Sequence, residues 1–236
     1  MNVVKGLFGS SLGKKYLMAF SGLVLFLFVV VHMIGNLQIF LGPDTINEYG
    51  HFLQTKQELV WMTRIGLLLM LILHIWAAIK LSAENRAARP QRYAEYKSPG
   101  SSYASRTMLV SGLLIFTFVI YHLLHFTVQT EGINFADTDF RTLEDAKERH
   151  DIYNMMVIGF QQPLVSIFYI ISMALLSLHL SHGVASMFQS LGWKNRKYGV
   201  FIDRLALVAA GVLIVGYSAI PIAVLTGFLE RVTYGA

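Results

Sequence analysis

The chain has 236 residues, of which 55% are hydrophobic and only 14% are charged, whereas soluble domains carry about 25% charged residues. This composition predicts an integral membrane protein. The formal net charge of +5 is therefore interpreted as basic residues in loops, which indicate the orientation of the helices, and not as a sign of nucleic-acid binding. The chain contains no cysteine, which excludes disulfides, thiolate-ligated heme, c-type heme attachment and cysteine-ligated iron–sulfur clusters.

Five stretches are apolar over the roughly 20 residues that a membrane-spanning helix needs. The first follows a basic flank and is too long for a signal peptide, so we interpret it as an uncleaved membrane helix. A Gly-Pro-Asp turn at residues 42–44 is expected to end it, and Pro221 is expected to break or kink the fifth helix. We predict one membrane domain over residues 1–236, without an evident internal repeat, and helices over residues 16–41, 59–82, 107–129, 155–188 and 204–229.

Loop charge predicts the orientation of these helices. The N-terminus and the second and fourth loops hold 13 of the 19 Lys and Arg residues, and the other side holds 6. The positive-inside rule then places the N-terminus in the cytoplasm and the C-terminus outside. The acidic, polar loop at residues 131–151 is expected to lie outside.

Four of the predicted helices carry histidines in their apolar interiors, where an ionisable ring is costly without a partner. At 1.5 Å per residue, His32 lies about 13 Å from the outer end of the first helix and His74 about 9 Å from the inner end of the second. His122 lies in the outer half of the third helix and His179 in the inner half of the fourth. The histidines therefore sort by depth into an outer pair, His32 with His122, and an inner pair, His74 with His179.

Two neutral imidazoles from different helices can ligate the iron of a b-type heme. The depth-matched pairs predict two such hemes, which would form an electron path through a hydrocarbon core about 30 Å thick. We therefore expect an all-α membrane protein, a five-helix bundle that holds two b-type hemes.

Alternatives remain open at this point. Each histidine could be a buried polar group bonded to a neighbouring helix, or part of a proton relay in a heme-free transporter, although the interiors of the first four helices lack the carboxylates that a relay favours. His125 follows His122 by three positions, and His182 follows His179 by three. Both members of each couple therefore lie on nearby faces of one helix, and their spacing does not show which of them is the ligand. His51, in the first outer loop, is a candidate contact for a quinone head group.

Seven stretches, taken in order, carry a resemblance to a known family: FLFVVVHMIGNLQIF around His32, GLLLMLILHIWAAIKL around His74, ENRAARPQRY at 84–93, SRTM at 105–108, YHLLHF at 121–126, GFQQP at 159–163 and LHLSHGVASMFQSLGW at 178–193. The resemblance covers nearly the whole chain. It is to the cytochrome b subunit of bacterial succinate:quinone oxidoreductases (succinate dehydrogenase and fumarate reductase), in the diheme b558 form with one five-helix anchor.

The resemblance implies that the first and third helices ligate a distal heme and the second and fourth a proximal heme, through His32 with His122 and His74 with His179. Relatives carry a leucine directly after the ligand on the third helix, which favours His122 over His125. On the fourth helix they place the ligand four residues before a glycine, which favours His179, four residues before Gly183, over His182. His125 and His182 become the second choices.

The resemblance also implies a complex in the bacterial cytoplasmic membrane. A flavoprotein subunit with FAD and an iron–sulfur subunit would dock on the cytoplasmic face, partly on the basic loop at residues 86–97. This chain would carry electrons from succinate oxidation to a membrane quinone, with menaquinone favoured. Whether the whole complex forms a higher oligomer is left as an open alternative. Some fumarate reductases of the group have a glutamate two residues before the ligand on the fourth helix, where this chain has Ser177. In those relatives the glutamate is linked to transmembrane proton movement, so the serine puts that proton route in doubt here and favours succinate oxidation over fumarate reduction.

A cytochrome b of another complex, such as a hydrogenase or a formate dehydrogenase, is the competing redox interpretation. Such a subunit would share the histidines, but not the ARPQRY and SRTM stretches.

Overall fold

A computed structural model describes the backbone of residues 3–88 and 106–234 and the side chains from residue 5 onward in these ranges. The described residues are helical, and apart from an isolated bridge between Glu144 and His150 they contain no β-structure. The α-helices are α1 (Val3–Gly9), α2 (Ser11–Leu37), α3 (Pro43–Thr55), α4 (Gln57–Ala87), α5 (Met108–His122), α6 (Ile152–Gln161), α7 (Pro163–Ser190) and α8 (Gly199–Leu225). A 3₁₀ turn, Gln38–Leu41, extends α2, and a π turn, Leu123–Thr127, extends α5.

Among the described residues, five helical segments are long and apolar enough to cross a membrane, which confirms the predicted multi-pass α-helical fold: Ser11–Leu41, Gln57–Ala87, Met108–Thr127, Pro163–Ser190 and Gly199–Leu225. Large apolar side chains such as Leu68, Leu113 and Val215 remain exposed on these helices. Lipid tails are as apolar as leucine, so such side chains are compatible with a bilayer.

The connection between the first two spans is a helix rather than the predicted loop. The first span ends at Leu41, as expected, because Gly42 adopts φ +103°. Pro43 then begins α3, because the first turn of a helix needs no amide donor, and Asp44 suits the positive end of the helix dipole. His51 therefore lies on α3, with an exposed side chain, and not in a loop.

The predicted fourth helix, at 155–188, is two helices. Proline has no amide hydrogen and disfavours the α conformation in the residue before it. Gln162 accordingly adopts an extended conformation, with φ −78° and ψ 110°, and separates α6 from α7, which begins at Pro163. In contrast, Pro221 does not break the fifth span, since it lies inside the continuous helix α8 and is fully buried. Membrane helices tolerate proline where neighbouring groups satisfy the freed carbonyl.

Contacts group the described residues into two compact units. Unit 1 contains the described parts of Met1–Phe28, Thr63–Gly112 and Leu178–Ala210, and unit 2 contains those of Val29–Met62, Leu113–Ser177 and Gly211–Ala236. Unit 1 has a small core of Val184, Ala185, Ile202 and Ala206. Unit 2 has a larger core, in which residues of α5, α6, α7 and α8 pack together.

The polar loop after α5 forms part of unit 2 and is folded around buried carboxylates. Asp151 caps α6 by accepting the amide of Asn154 at 3.0 Å, and Asn47 of α3 donates to Asp151 at 3.0 Å and to Asp145 at 3.2 Å. Burial raises the pKa of Asp145, but hydrogen bonds from Arg149, first among several donors, outweigh that effect and lower the pKa to about 2. The loop thus fixes α3 to the start of α6 through a small set of buried hydrogen bonds.

Candidate functional site

Unit 1 brings together the pair of histidines that depth sorting assigned to the inner side. His74 on α4 and His179 on α7 have ring centroids 6.5 Å apart and ring planes inclined by 61°. Both rings are half-buried.

A serine hydroxyl holds the Nδ1 atom of each ring in unit 1. Ser21 Oγ of α2 lies 3.3 Å from His74 Nδ1 and donates its proton to its own helix, at Leu17 O, 2.7 Å away. Ser111 Oγ of α5 lies 3.0 Å from His179 Nδ1 and donates to Met108 O, 3.2 Å away. A hydroxyl has one proton, so both oxygens are left to accept from the imidazoles. With the hydroxyl protons on the helix carbonyls, both histidines would carry hydrogen on Nδ1 and keep the lone pair of Nε2 for a ligand.

A glycine follows each of these serines and lets the histidine ring approach the opposite helix. A Cβ atom on Gly22 would lie 3.2 Å from Cε1 of His74, and one on Gly112 would lie 3.5 Å from Cε1 of His179. A Cβ atom at Gly22 would therefore crowd the His74 ring, whereas one at Gly112 would make an ordinary van der Waals contact with the His179 ring. In contrast, a Cβ atom on Gly183 would meet nothing within 4 Å.

Unit 2 brings together the other pair. His32 on α2 and His122 at the end of α5 have ring centroids 5.8 Å apart, with planes inclined by 82°. Phe118 stacks on His122 at 5.8 Å, and Tyr217 lies 6.3 Å from His32. The hydroxyl of Tyr169 lies 3.3 Å from His122 Nδ1.

The spacing of both pairs suits two imidazoles that share one metal ion. A first-row metal lies about 2 Å from an imidazole nitrogen, and adding about 1 Å to each ring centre puts two opposed ring centres about 6 Å apart. The observed separations are 5.8 and 6.5 Å. Neutral imidazoles from two helices, with Nδ1 of His74, His179 and His122 beside a hydroxyl, are a donor set that fits a b-type heme.

The second-choice histidines have other surroundings. His125 is fully buried, its Nδ1 lies 3.0 Å from the Tyr169 hydroxyl, and its ring packs against Phe126 at 3.9 Å. His182 is half-buried, and its Nε2 lies 3.0 Å from the hydroxyl of Ser186, one turn along its own helix. This geometry favours His122 and His179 as the members of each couple that meet a histidine from another helix.

Comparisons of the chain with protein-family models, with curated proteins and with solved structures find no match. The chemistry of the two pairs must therefore be derived from their own donor atoms and contacts.

The sequence interpretation assigned no hydrogen-bonding role to the serines beside the rings, although the sequence carries a signal for them. Residues 18–32 and 108–122 align with a constant offset of 90, and each segment reads Ser-Gly, nine further residues, then His. Eight of the fifteen aligned positions are identical: Met18/Met108, Ser21/Ser111, Gly22/Gly112, Leu23/Leu113, Phe26/Phe116, Phe28/Phe118, Val29/Val119 and His32/His122. The expectation that the chain has no internal repeat was wrong for this segment, because a short apolar repeat is easily hidden by general membrane composition.

The expected docking loop falls largely outside the described residues. Arg86 lies in the last turn of α4. Arg89, Arg92 and Lys97 of that loop lie outside the described part of the chain, as do the ARPQRY stretch beyond Ala88 and Ser105 of the SRTM stretch.

Proposed function

We propose that this chain is a diheme cytochrome b. His74 and His179 would ligate one heme b, and His32 and His122 the other. The observation that carries the proposal is the presence of two interhelical histidine pairs in which a hydroxyl group engages Nδ1 of His74, His179 and His122. A bis-imidazole heme takes up and releases one electron without needing an open position for substrate.

The protein groups around the rings have distinct tasks in this proposal. Ser21 and Ser111 fix the tautomer that leaves Nε2 free, and Tyr169 does the same for His122. Gly22 and Gly112 leave room beside the rings of unit 1. The aromatic side chains that pack around His122 keep the site apolar, which is one of the factors that set a heme potential.

We further propose that the chain is the membrane anchor of a bacterial succinate:quinone oxidoreductase. The seven sequence stretches that resemble that family support this assignment. In this role the N-terminus is cytoplasmic, a flavoprotein subunit with FAD and an iron–sulfur subunit dock on that face, and electrons leave to a membrane quinone, with menaquinone favoured. Ser177, a buried serine at the position where some fumarate reductases have a glutamate, favours succinate oxidation as the working direction.

The first test is the heme content of the purified chain, produced with heme available. A reduced-minus-oxidised visible spectrum and a pyridine hemochrome assay should show b-type heme at about two per polypeptide. One heme would mean that one of the two pairs is wrongly assigned. A preparation without heme would overturn the cytochrome proposal and favour a histidine-relay transporter.

The second test addresses the complex. The chain is co-produced with the flavoprotein and iron–sulfur subunits of a bacterial succinate dehydrogenase, and the membranes are assayed for succinate-dependent quinone reduction. A variant that lacks both ligands on α2 and α4, His32→Ala with His74→Ala, is the matched control and should lose quinone reduction while retaining succinate oxidation by a soluble dye. Equal quinone reduction in both preparations would contradict the electron-carrier role.

A further inference from the structure

One phenol in unit 2 lies between two histidines of the same helical segment. Tyr169 on α7 is buried, and its hydroxyl oxygen lies 3.3 Å from Nδ1 of His122 and 3.0 Å from Nδ1 of His125. The two rings reach one hydroxyl because they are three residues apart, on nearby faces of the helix and the π turn that extends it.

Hydrogen-bond accounting fixes the direction of this arrangement. The phenol has one proton to donate and can also accept. If His122 binds metal through Nε2, its hydrogen is on Nδ1, and that nitrogen donates to Tyr169. The Tyr169 proton is then available for Nδ1 of His125, which accepts it and carries its own hydrogen on Nε2.

Among the described residues, His125 is a buried ring with an unpartnered nitrogen and a polar contact to Tyr169. The ring is fully buried among aromatic residues, with Phe126 at 3.9 Å and Phe140 at 5.7 Å. Its Nε2 atom has no hydrogen-bond partner among the described residues. A buried polar atom without a partner is destabilising, and an apolar side chain would fill the same space without that cost. The polar contact that His125 does make is the one to Tyr169.

We propose that Tyr169 and His125 are positioning residues that hold His122 in its Nδ1–H form and strengthen it as a heme ligand. The inference rests on the proposed function, because it assigns these residues a role toward the heme of the His32–His122 pair. An acceptor for Nδ1–H raises the basicity of a ligating imidazole, and a more basic ligand stabilises the oxidised iron. The oxygen of Tyr169 is a stronger acceptor when its own proton is drawn to a ring nitrogen. The rings of unit 1 have serines in this place, whose protons go to helix carbonyls.

The test compares redox potentials in the full-length protein with both hemes bound. The variants are Tyr169→Phe, which removes the acceptor, His125→Leu, which removes the group that polarises it, and His125→Asn, whose side-chain oxygen can still accept near the position of Nδ1. Tyr153→Phe is the matched control, because Tyr153 is a buried tyrosine of the same unit that lies on α6. Each heme is followed by potentiometric titration, and the oxidised low-spin signals by electron paramagnetic resonance.

Tyr169→Phe should raise the midpoint potential of one heme, so that its ratio of reduced to oxidised form at the wild-type midpoint increases about threefold or more. Its resonance signal should move with the potential, and the other heme should be unchanged. His125→Leu should act in the same direction with a smaller shift, and His125→Asn should restore the wild-type values. Selective loss of that one heme from Tyr169→Phe, with wild-type heme content in His125→Asn, would also support the positioning role.

The inference is overturned if Tyr169→Phe keeps both hemes at their wild-type potentials, if both hemes shift equally, or if Tyr153→Phe gives the same shift. It is also overturned if His125→Asn shifts as far as His125→Leu. A wild-type chain without heme would instead overturn the proposed function itself, so heme content separates the two failures.

Discussion

The Nδ1 atom of His179 lies 3.0 Å from the hydroxyl oxygen of Ser111, which belongs to a different helix. The hydroxyl proton of Ser111 goes to the carbonyl of Met108. With its proton there, the oxygen is left to accept from the ring, an arrangement in which Nε2 of His179 is the nitrogen that can bind a ligand. A single hydroxyl thus links the packing of two helices to the chemistry of the ring.

Replacing Ser111 by alanine should weaken His179 as a ligand without removing it. A buried donor that loses its partner costs about 1–3 kcal/mol. If this loss destabilises the oxidised form by about 1 kcal/mol relative to the reduced form, the ratio of reduced to oxidised heme increases about fivefold. Redox titration of the purified protein measures the shift. Ser111→Thr keeps the hydroxyl and is the control, and a wild-type potential in Ser111→Ala would show that the contact has no influence on the iron.

The glycines beside the same rings make a separate prediction about heme content. Gly22→Leu should lower the heme content from about two toward one per polypeptide, because even a Cβ atom there would lie 3.2 Å from the His74 ring. Gly66→Leu on α4 is the matched control, since a Cβ atom at Gly66 meets nothing within 4 Å. The pyridine hemochrome assay measures the heme content of both variants. An equal loss of heme in Gly22→Leu and Gly66→Leu would indicate general misfolding rather than lost space beside the ring.

The ligand assignment itself predicts paired losses. His74→Ala and His179→Ala should each remove the same heme and leave the other, and His32→Ala and His122→Ala should each remove the second. Spectra and redox titrations of the four variants should therefore fall into two classes. His51→Ala, a change at an exposed position on α3, should keep both hemes.

The choice on the third span is the sharpest part of this assignment. If the His122→Ala variant keeps two hemes and the His125→Ala variant loses one, then His125 and not His122 is the ligand. His125→Asn separates the roles further, because asparagine can accept from Tyr169 but would not replace an axial imidazole.

The sequence was informative about what lies within one helix. Apolar length identified all five spans, and counting residues from the helix ends grouped His32 with His122 and His74 with His179, whose rings lie together in the structure. The break at Gln162 was not predicted, although Gln161 and Gln162 interrupt the apolar pattern there and Pro163 disfavours the α conformation in the residue before it. Pro43 was taken as a terminator, although a proline is equally suited to begin a helix.

The partners of the histidines were harder to predict, since they come from other helices. Ser21 and Ser111 look like ordinary small residues of a membrane interface until the facing ring is known. The repeated spacing from each serine to the histidine eleven residues later would have identified them. Tyr169 has no such signal, because its two contacts depend on how α7 packs against α5 and its π turn.

The buried carboxylate of Asp145 predicts a pH-dependent contribution to stability. Hydrogen bonds lower its pKa in the folded protein to about 2, below the value of about 3.9 for an unperturbed aspartate. Because the pKa is lower in the folded state, the carboxylate stabilises the fold when the pH is above the pKa of the unfolded state. This contribution disappears as the pH falls from about 4 through about 2.

Asp145→Asn should therefore destabilise the protein at pH 7, by about 1–3 kcal/mol, because the variant loses the charged contact to Arg149 and leaves that guanidinium with a weaker partner. Thermal unfolding in detergent, measured at pH 7 and at successively lower pH, should show the variant and the wild type converging between about pH 4 and pH 2. Asp137→Asn, at an exposed aspartate of the same loop, is the control and should match the wild type throughout. If Asp145→Asn remained less stable than the wild type by the same amount down to pH 2, the contact between residue 145 and Arg149 would depend on shape and not on the charge of the carboxylate.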